Sequence, residues 1–392
     1  MTHFAQFDLP HDIRPLIEQM QAAPHGLDTG YIFMDPTSPE SGALARFRSV
    51  RSELASTAEN AFSHYPATPR TPLTTISTQS EQAFFEQVYR QKLGLVIGES
   101  HIQRSAKQLL NEHMELLKKQ GVKTLYIEHL LTDLHQEALD IYHRTSKMPK
   151  ALKNYLELLD SDRMPMYGGD YTYTNIVKTA HKFGIRVRAL DCSASYHVKG
   201  LTGKVGRLEL FSYFANEVIK ADQLAKGAHK WVAFVGTAHT DMHKGVPGLV
   251  ELQDAISLHV YDTTPQRAKR LRGGGWGHVT DTRSIVALRS DFSIDVGNLK
   301  APATRTPTLP DRTRLTEPGQ FFIEYPSEFD VNLVHRSRSG QIVTTPFQIN
   351  GKGQYFIEYW SALKNQRFYD LSALIETLKA DPPQGAGLRQ IT

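Results

Sequence analysis

Three short apolar runs constrain the fold of this chain more than any other feature of its sequence. They lie at residues 93–101, 123–129 and 231–239, and helical patterns stand between them. Continuous apolar runs of this length that alternate with helices are typical of buried parallel strands. Sheets of this kind bind their ligands just beyond the carboxyl ends of the strands. We therefore expect the residues that close each run to face one common cleft.

Acidic and imidazole side chains close all three runs. The first ends in Gly-Glu-Ser-His, the second in Glu-His and the third in Gly-Thr-Ala-His, so Gly-x-x-His occurs twice. An imidazole titrates near neutral pH, and two carboxylates in one cleft move their pKa values apart. This equipment suits the activation of water by acid–base catalysis. The predicted catalytic residues are Glu99, His101, Glu128, His129 and His239.

Four further residues are expected to line the same pocket. Asp191 closes a predicted strand at residues 185–190, from where it could orient one of the histidines. Asp170 and Tyr171 lie in a glycine-rich turn, and His243 follows the third run closely. A single polar residue at a strand end is usually structural, because buried polar groups find hydrogen-bond partners. The repetition of the pattern at three strand ends favours a functional cluster.

The sequence predicts no metal cofactor, although a dependence on metal stays open. Glutamate and histidine together suit zinc, manganese or iron, but no His-Glu-x-x-His motif is present. Cys192 is the single cysteine, which excludes an internal disulfide and a multi-cysteine metal site. No Gly-x-Ser-x-Gly elbow surrounds a serine, and the glycines at 273–275 lack the Lys-Ser/Thr ending of a nucleotide loop.

The order of elements predicts an α/β fold with a mostly parallel sheet flanked by helices. Further strands are expected at 256–261 and 284–288, with a glycine-rich loop at 272–278 between them. Histidines on predicted helices, His135 among them, are expected to face solvent. The predicted organisation is a helical or partly disordered leader at 1–85, a catalytic domain at 86–297, a proline-rich linker at 298–320 and a small α+β module at 321–392.

Composition excludes several classes of function. A formal charge of +4 over 392 residues, without a clustered basic face, gives no support for nucleic-acid binding. No apolar run approaches the ~20 residues of a transmembrane helix. The first twenty residues lack the apolar segment of a Sec signal peptide, so we expect none. A lone cysteine suits a reducing cytosol.

The motifs Gly-Glu-Ser-His, Ile-Glu-His and Gly-Thr-Ala-His resemble those of the erythromycin esterase/ChaN-like superfamily, which includes the Tiki proteases. Within it, residues 93–288 look most similar to the Ras/Rap-specific endopeptidase domain of MARTX toxins. The resemblance implies a metal-independent protease that cuts Ras-family GTPases in the switch I loop. It maps the family's catalytic positions onto the five predicted residues. No four-helix membrane-localisation bundle is evident before residue 90, and the segment after 298 is not part of the pattern.

The resulting hypothesis is a bacterial effector, secreted or translocated into the host cytosol by a non-Sec route, that hydrolyses a peptide bond in a host protein. Glu99 or Glu128 would act as base toward water. His101 and His239 would stabilise the oxyanion or protonate the leaving amine. The alternatives are an ester or lactone hydrolase like the erythromycin esterases, a non-catalytic haem- or metal-binding protein like ChaN, and a metal-dependent protease of the Tiki kind.

Overall fold

The computed structural model describes residues 5–15, 39–66, 70–71, 73, 76, 80–101, 104–163, 171–196, 206–263, 270–280, 285–297, 312–318, 320–324, 332–337, 339–349, 355–356, 366–368, 371–380 and 389–390. The α-helices in these segments are α1 (Pro39–Phe62), α2 (Glu81–Gln91), α3 (Ser105–Lys119), α4 (Thr132–Thr145), α5 (Lys150–Arg163), α6 (Tyr173–Lys182), α7 (Ser193–Tyr196), α8 (Arg207–Lys226), α9 (Leu249–Gln253) and α10 (Leu371–Ala380). Short 3-10 helices lie at Ala5–Phe7, Thr237–His239 and Arg312–Arg314.

The strands in the same segments are β1 (Gly94–Glu99), β2 (Val122–Leu131), β3 (Arg186–Asp191), β4 (Lys230–Gly236), β5 (Ile256–Thr263), β6 (Arg270–Thr280), β7 (Ile285–Gly297), β8 (Gln320–Glu324), β9 (Asn332–Arg336), β10 (Ile342–Pro346), β11 (Gln348–Ile349), β12 (Tyr355–Phe356) and β13 (Arg389–Gln390). Seven of them form one sheet in the order β3-β2-β4-β1-β5-β7-β6. Neighbouring strands are parallel, except that β6 runs antiparallel to β7. The predicted α/β fold with a mostly parallel sheet and flanking helices is confirmed.

Strand β1 lies in the middle of this sheet and is buried along its whole length, as its continuous apolar run predicts. Its side chains alternate between two hydrophobic clusters. Leu95 and Ile97 pack with Leu109 of α3, whereas Val96 packs with Phe214 of α8. Helices therefore cover both faces, and the carboxyl edge of the sheet is left to carry polar side chains.

Two strands differ from their predictions. The stretch at 272–278, predicted as a loop, lies in β6 and pairs with β7 along nearly its whole length. This backbone pairing outweighs the low strand propensity of its glycines. The strand predicted at 123–128 continues to Leu131, and its register against β3 shifts between Ile127 and Leu131. Glu128 and His129 therefore lie within this irregular part of β2.

The segments that precede and follow the sheet in the sequence pack against the core around it. Phe7, Leu54 and Ala58 join the cluster under α8. The later strands form a four-stranded sheet in the order β10-β9-β8-β13, and Leu374 of α10 packs in one cluster with Ala287 of β7. The boundaries at residues 85, 297 and 320 stay predictions. Among the described helices, none combines the length and apolar character needed to span a membrane.

Candidate active site

The carboxyl ends of β2, β4 and β1 bring the five predicted catalytic residues together. These strands are neighbours, and Glu99 at the end of β1 stands opposite Gly236 at the end of β4. Consecutive residues of a regular strand point to opposite faces. The register shift in β2 re-aims the chain, so that Glu128 and His129 both reach the cluster.

Glu99 is the most heavily hydrogen-bonded group of the site. Its Oε1 accepts from the Tyr173 hydroxyl at 2.6 Å and lies 3.1 Å from Nδ1 of His101, while its Oε2 accepts from Nζ of Lys107 at 2.6 Å. Burial alone would raise the pKa of Glu99, but Lys107 and the two histidines hold it well below its usual value. Glu99 is therefore a fixed anion at neutral pH.

His129 links this carboxylate to a second histidine. Its Nε2 lies 3.0 Å from Nδ1 of His101 and 3.6 Å from Oε1 of Glu99, and its Nδ1 lies 2.9 Å from the Tyr196 hydroxyl. Burial, reinforced by the charge of His101, lowers the pKa of His129 to about 4. His129 is thus neutral at pH 7 and offers one lone pair and one N–H to its neighbours.

Glu128 forms a second group with Arg207 and His239. Its Oε1 accepts from Nη2 of Arg207 at 3.0 Å and lies 3.5 Å from Nε2 of His239, and its Oε2 accepts the Gly236 N–H at 2.6 Å. Burial would raise the pKa of Glu128, but the charges of His239 and Arg207 lower it strongly. Because burial lowers the pKa of His239 to about 3, Arg207 is the partner that stays charged at neutral pH.

Asp191 orients Arg207, and among the described residues it contacts no histidine, in contrast to its predicted role. Its Oδ2 lies 2.5 Å from Nη2 of Arg207, whose Nη1 donates to Ser195 at 2.7 Å. Burial raises the pKa of Asp191 to about 6 against the opposing effect of Arg207. One guanidinium therefore bridges the carboxylates of Asp191 and Glu128 and fixes the direction in which Glu128 points.

The two glycines of the Gly-x-x-His motifs are required by close approach. A Cβ atom on Gly236 would lie 3.1 Å from Cε1 of His101 and 3.4 Å from Oε2 of Glu128. A Cβ atom on Gly98 would lie 2.9 Å from side-chain atoms of His259, Thr237 and Thr240. The repeat thus reflects a shared need for space where the strands deliver their polar residues.

The remaining predicted residues lie apart from this cluster or outside the described segments. The Tyr171 hydroxyl donates to Glu112 on the exposed side of α3 at 3.2 Å. His243 is buried in a tight turn with Val246, and its charge would lower the pKa of His239. Asp170 falls outside the described residues.

The prediction that His135 faces solvent is wrong. It is buried, its Nδ1 accepts the Leu131 N–H at 2.9 Å, and its ring stacks on Tyr155. The physical reason is local: the imidazole supplies an acceptor for the backbone at the start of α4, where side-chain caps satisfy free N–H groups.

The structure adds four residues that the sequence reasoning missed: Lys107, Tyr173, Tyr196 and Arg207. A signal existed for Lys107. Lys107 shares the buried face of α3 with Leu110 and Met114, at helical spacing, and its side chain is fully buried. A lysine within an apolar stripe is rarely buried without a partner.

Three ligand atoms of the site could hold a metal ion. Oε1 of Glu99, Nδ1 of His101 and Nε2 of His129 all lie within 4.8 Å of one another, the one such group among the described residues. Imidazole and carboxylate suit zinc, manganese or iron. Lys107, at 2.6 Å from the other oxygen of Glu99, already supplies that carboxylate with a positive charge.

Exposure distinguishes one member of the cluster. The His101 side chain is 31% exposed, whereas those of Glu99, Glu128, His129 and His239 are 8% exposed or less. His101 is therefore the imidazole that meets solvent or a substrate. The other four form its buried surroundings, in which the two glutamates carry negative charge.

No protein-family model matches this chain. A stretch of 175 residues, 43% of the chain, is 31% identical to part of the multifunctional-autoprocessing repeats-in-toxin of Vibrio vulnificus. The chain spans 3% of the length of that toxin.

Solved structures of bacterial toxins are among those similar to the chain. RRSP, a MARTX toxin effector domain from Vibrio vulnificus CMCP6, aligns with a TM-score of 0.44 and 19% identity over 73% of this chain and 58% of its own. A structure of bacterial protein toxins aligns with a TM-score of 0.47 and 23% identity over 66% of this chain and 57% of its own. The C-terminal region of Pasteurella multocida toxin aligns with a TM-score of 0.45 and 16% identity over 56% of this chain and 31% of its own. Since these TM-scores lie below 0.5, the relationship rests on sequence: along the matched stretch, the chain is homologous to a region of a MARTX toxin.

Proposed function

We propose that this chain is a toxin effector that hydrolyses a peptide bond in a host protein after delivery into the host cell. A Ras-family GTPase is the first substrate to test, because the catalytic motifs resemble those of the Ras/Rap-specific endopeptidase domains. Homology to a region of a MARTX toxin supports the effector role. The arrangement around His101 supports the hydrolytic role.

The contact between His101 and Glu99 carries the proposal. Nδ1 of His101 lies 3.1 Å from Oε1 of a buried carboxylate that stays ionised. An N–H at Nδ1 that donates to Glu99 leaves the lone pair on Nε2, and the ring is the most exposed of the cluster. An imidazole held in this tautomer by a carboxylate is a general base for water and, once protonated, an acid for the leaving amine.

The two glutamates are poorly placed to act as the base themselves. Glu99 is surrounded by Lys107, Tyr173 and His101, and Glu128 by Arg207 and the Gly236 N–H. These donors stabilise the charged carboxylates, which weakens them as proton acceptors. We therefore assign both glutamates an orienting and electrostatic role, in place of the base role expected from sequence.

His239 and Arg207 would stabilise the negative charge that develops on the substrate. Both lie against Glu128. Oε2 of Glu128 and the ring of His101 both lie close to Gly236. Neutral His239 can donate one N–H, and Arg207 is a permanent cation in a buried setting. Donors fixed near developing negative charge stabilise a tetrahedral oxyanion more than they stabilise the substrate.

A metal-assisted hydrolase is the second candidate, favoured by the convergence of Glu99, His101 and His129. In that case the three residues would hold the ion and the ion would supply the activated water. Dialysis against EDTA separates the two mechanisms. A fully active metal-free protein supports the imidazole base, and activity that disappears and returns with manganese or zinc supports the metal.

The test incubates the purified chain, without added metal, with a panel of Ras-family GTPases and with host-cell lysate, and measures intact masses. His101→Gln removes the proposed base, and His64→Gln is the matched control because His64 is exposed and far along the chain from the motifs. Loss of a positioned general base lowers kcat by about 10²–10⁴-fold. We expect that loss in His101→Gln and no change in His64→Gln.

Two results would contradict the proposal. Unchanged cleavage by His101→Gln would remove the base assignment. No cleaved protein in any fraction, together with hydrolysis of small esters or lactones, would assign the site to the esterase alternative.

A further inference from the structure

Arg70 lies at the centre of a group of three buried carboxylates. Its Nη2 is hydrogen-bonded to Oδ2 of Asp291 and lies 3.6 Å from Oδ1 of Asp241, and its Nε lies 3.9 Å from Oε1 of Glu251. The three carboxylate side chains are 1%, 7% and 5% exposed, and Arg70 itself is 24% exposed. Carboxylates buried around one guanidinium are stable in their charged form only while that cation is in place.

Each carboxylate belongs to a different part of the fold. Asp291 lies in β7 and accepts the backbone N–H groups of Ser257 in β5 and of Leu73, each at 2.9 Å. Glu251 lies in α9, where its Oε2 accepts the Gly248 N–H at 3.0 Å. Arg70 therefore connects the sheet and α9 to the segment that contains Asp241.

Asp241 is two residues from His239, in the turn that follows the 3-10 helix after β4. The intervening Thr240 has its Oγ1 2.5 Å from Nε2 of His259 and 2.9 Å from the Thr237 carbonyl oxygen, which it donates to. A Cβ atom on Gly98 would collide with His259, Thr237 and Thr240 at 2.9 Å. The turn at residues 237–241 is therefore tightly packed against Gly98 of the first Gly-x-x-His motif. A displacement of Asp241 would move His239.

The charges around Asp241 show what Arg70 does there. The groups that face it are Glu251 on α9, Asp291 and Arg289 on β7, and His259 on β5. Tyr65, after α1, faces Glu251 and Arg70. Burial and the charges of Glu251 and Asp291 raise the pKa of Asp241 well above its usual value, and Arg70 opposes this shift. Burial lowers the pKa of His259 to about 3, so it adds no positive charge at neutral pH.

We propose that Arg70 is a positioning residue of the active site: its guanidinium holds Asp241, and through it the His239 turn, against Glu128. Residues 1–85, predicted from sequence to be a leader, would then supply a working part of the catalytic domain. The effect on catalysis rests on the proposed function, whereas the effect on the His239 turn does not.

The test compares three variants of the full chain. Arg70→Met keeps the aliphatic stem and removes the charge, and Arg70→Lys keeps a charge at the same place. Arg46→Met is the matched control, because Arg46 pairs with Asp12 on the surface, where their side chains are 55% and 66% exposed. For each protein, kcat and KM are measured from pH 5.5 to 8, and the ring signal of His239 is recorded by ¹H–¹³C NMR.

In Arg70→Met we expect kcat to fall by about 10–100-fold at pH 7.5, the cost of a misplaced catalytic group, with KM within about twofold of its original value. The loss should shrink toward pH 5.5, because protonation of Asp241 and Glu251 replaces the missing cation. The His239 signal should shift in Arg70→Met, return most of the way in Arg70→Lys and stay unchanged in Arg46→Met.

Other results would overturn the proposal. An unshifted His239 signal in folded Arg70→Met would remove the positioning role. A loss of kcat that is equal at every pH would assign the defect to general destabilisation. If the unaltered chain cleaves no substrate, the proposed function fails, and the His239 signal alone then decides the role of Arg70.

Discussion

Removal of the positive charge of Lys107 is the sharpest test of how this site is built. Lys107 is 0% exposed and Glu99 1% exposed, and their Nζ and Oε2 atoms lie 2.6 Å apart. In Lys107→Met the side chain keeps an unbranched apolar stem and loses the ammonium group, so that the lost interaction is chiefly electrostatic. Breaking a buried pair by removal of one partner costs about 3–5 kcal/mol. Since Tyr173 and His101 still donate to Glu99, we expect about 3 kcal/mol at pH 8.

The pH dependence gives this prediction its sign. With Lys107, the pKa of Glu99 is depressed, so its contribution to stability is present above the unfolded pKa and is lost as pH falls through the folded pKa. Without Lys107, burial raises the pKa of Glu99, and stability instead increases as the pH falls toward the unfolded pKa. The difference in the free energy of unfolding between the unaltered chain and Lys107→Met should therefore shrink by about 1.4 kcal/mol for each pH unit below the raised pKa.

Urea unfolding at pH 5 and pH 8, followed by circular dichroism, measures both quantities. Lys119→Met is the matched control on the same helix, because its ion pair with Glu115 is exposed. We expect the control to unfold like the unaltered chain. A loss below about 1 kcal/mol in Lys107→Met, or the same loss at both pH values, would refute the reasoning.

Two further changes test the second half of the site. Gly236→Ala places a methyl group 3.1 Å from the His101 ring and should lower kcat by about tenfold or more with a smaller effect on stability, whereas Gly273→Ala, which meets nothing within 4 Å, should change neither. Arg207→Met leaves Glu128 and Asp191 buried without their shared cation, so that the pKa values of both carboxyl groups rise. The acidic limb of the plot of kcat against pH should therefore move to higher pH. The free energy of unfolding at pH 7 should fall by about 3–5 kcal/mol. Steady-state kinetics across pH and urea unfolding check both, and an unmoved acidic limb in Arg207→Met would contradict the role given to the guanidinium.

The sequence by itself determined the sheet and the edge of the sheet at which the candidate site lies. Buried strands such as β1 need apolar residues on both faces, which leaves a continuous run that can be read without neighbours. Because parallel strands end at one edge, the order of the motifs alone places together the polar residues that close three such runs, from Glu99 to His239. Strand β6 was not predicted in this way, because it has no apolar run and is stabilised by backbone pairing with β7.

Only the tertiary structure decided how the polar residues divide their work. Lys107 and Tyr173 come to Glu99 from two different helices, and Arg207 comes to Glu128 from a third. Arg70 reaches Asp241 from a segment more than 150 positions earlier in the sequence. Sequence patterns report local spacing, whereas the charge of a buried carboxylate depends on whichever cation the fold brings within a few ångströms. That long-range pairing, absent from any single motif, is what makes His101 the exposed base and the glutamates its fixed partners in the proposed mechanism.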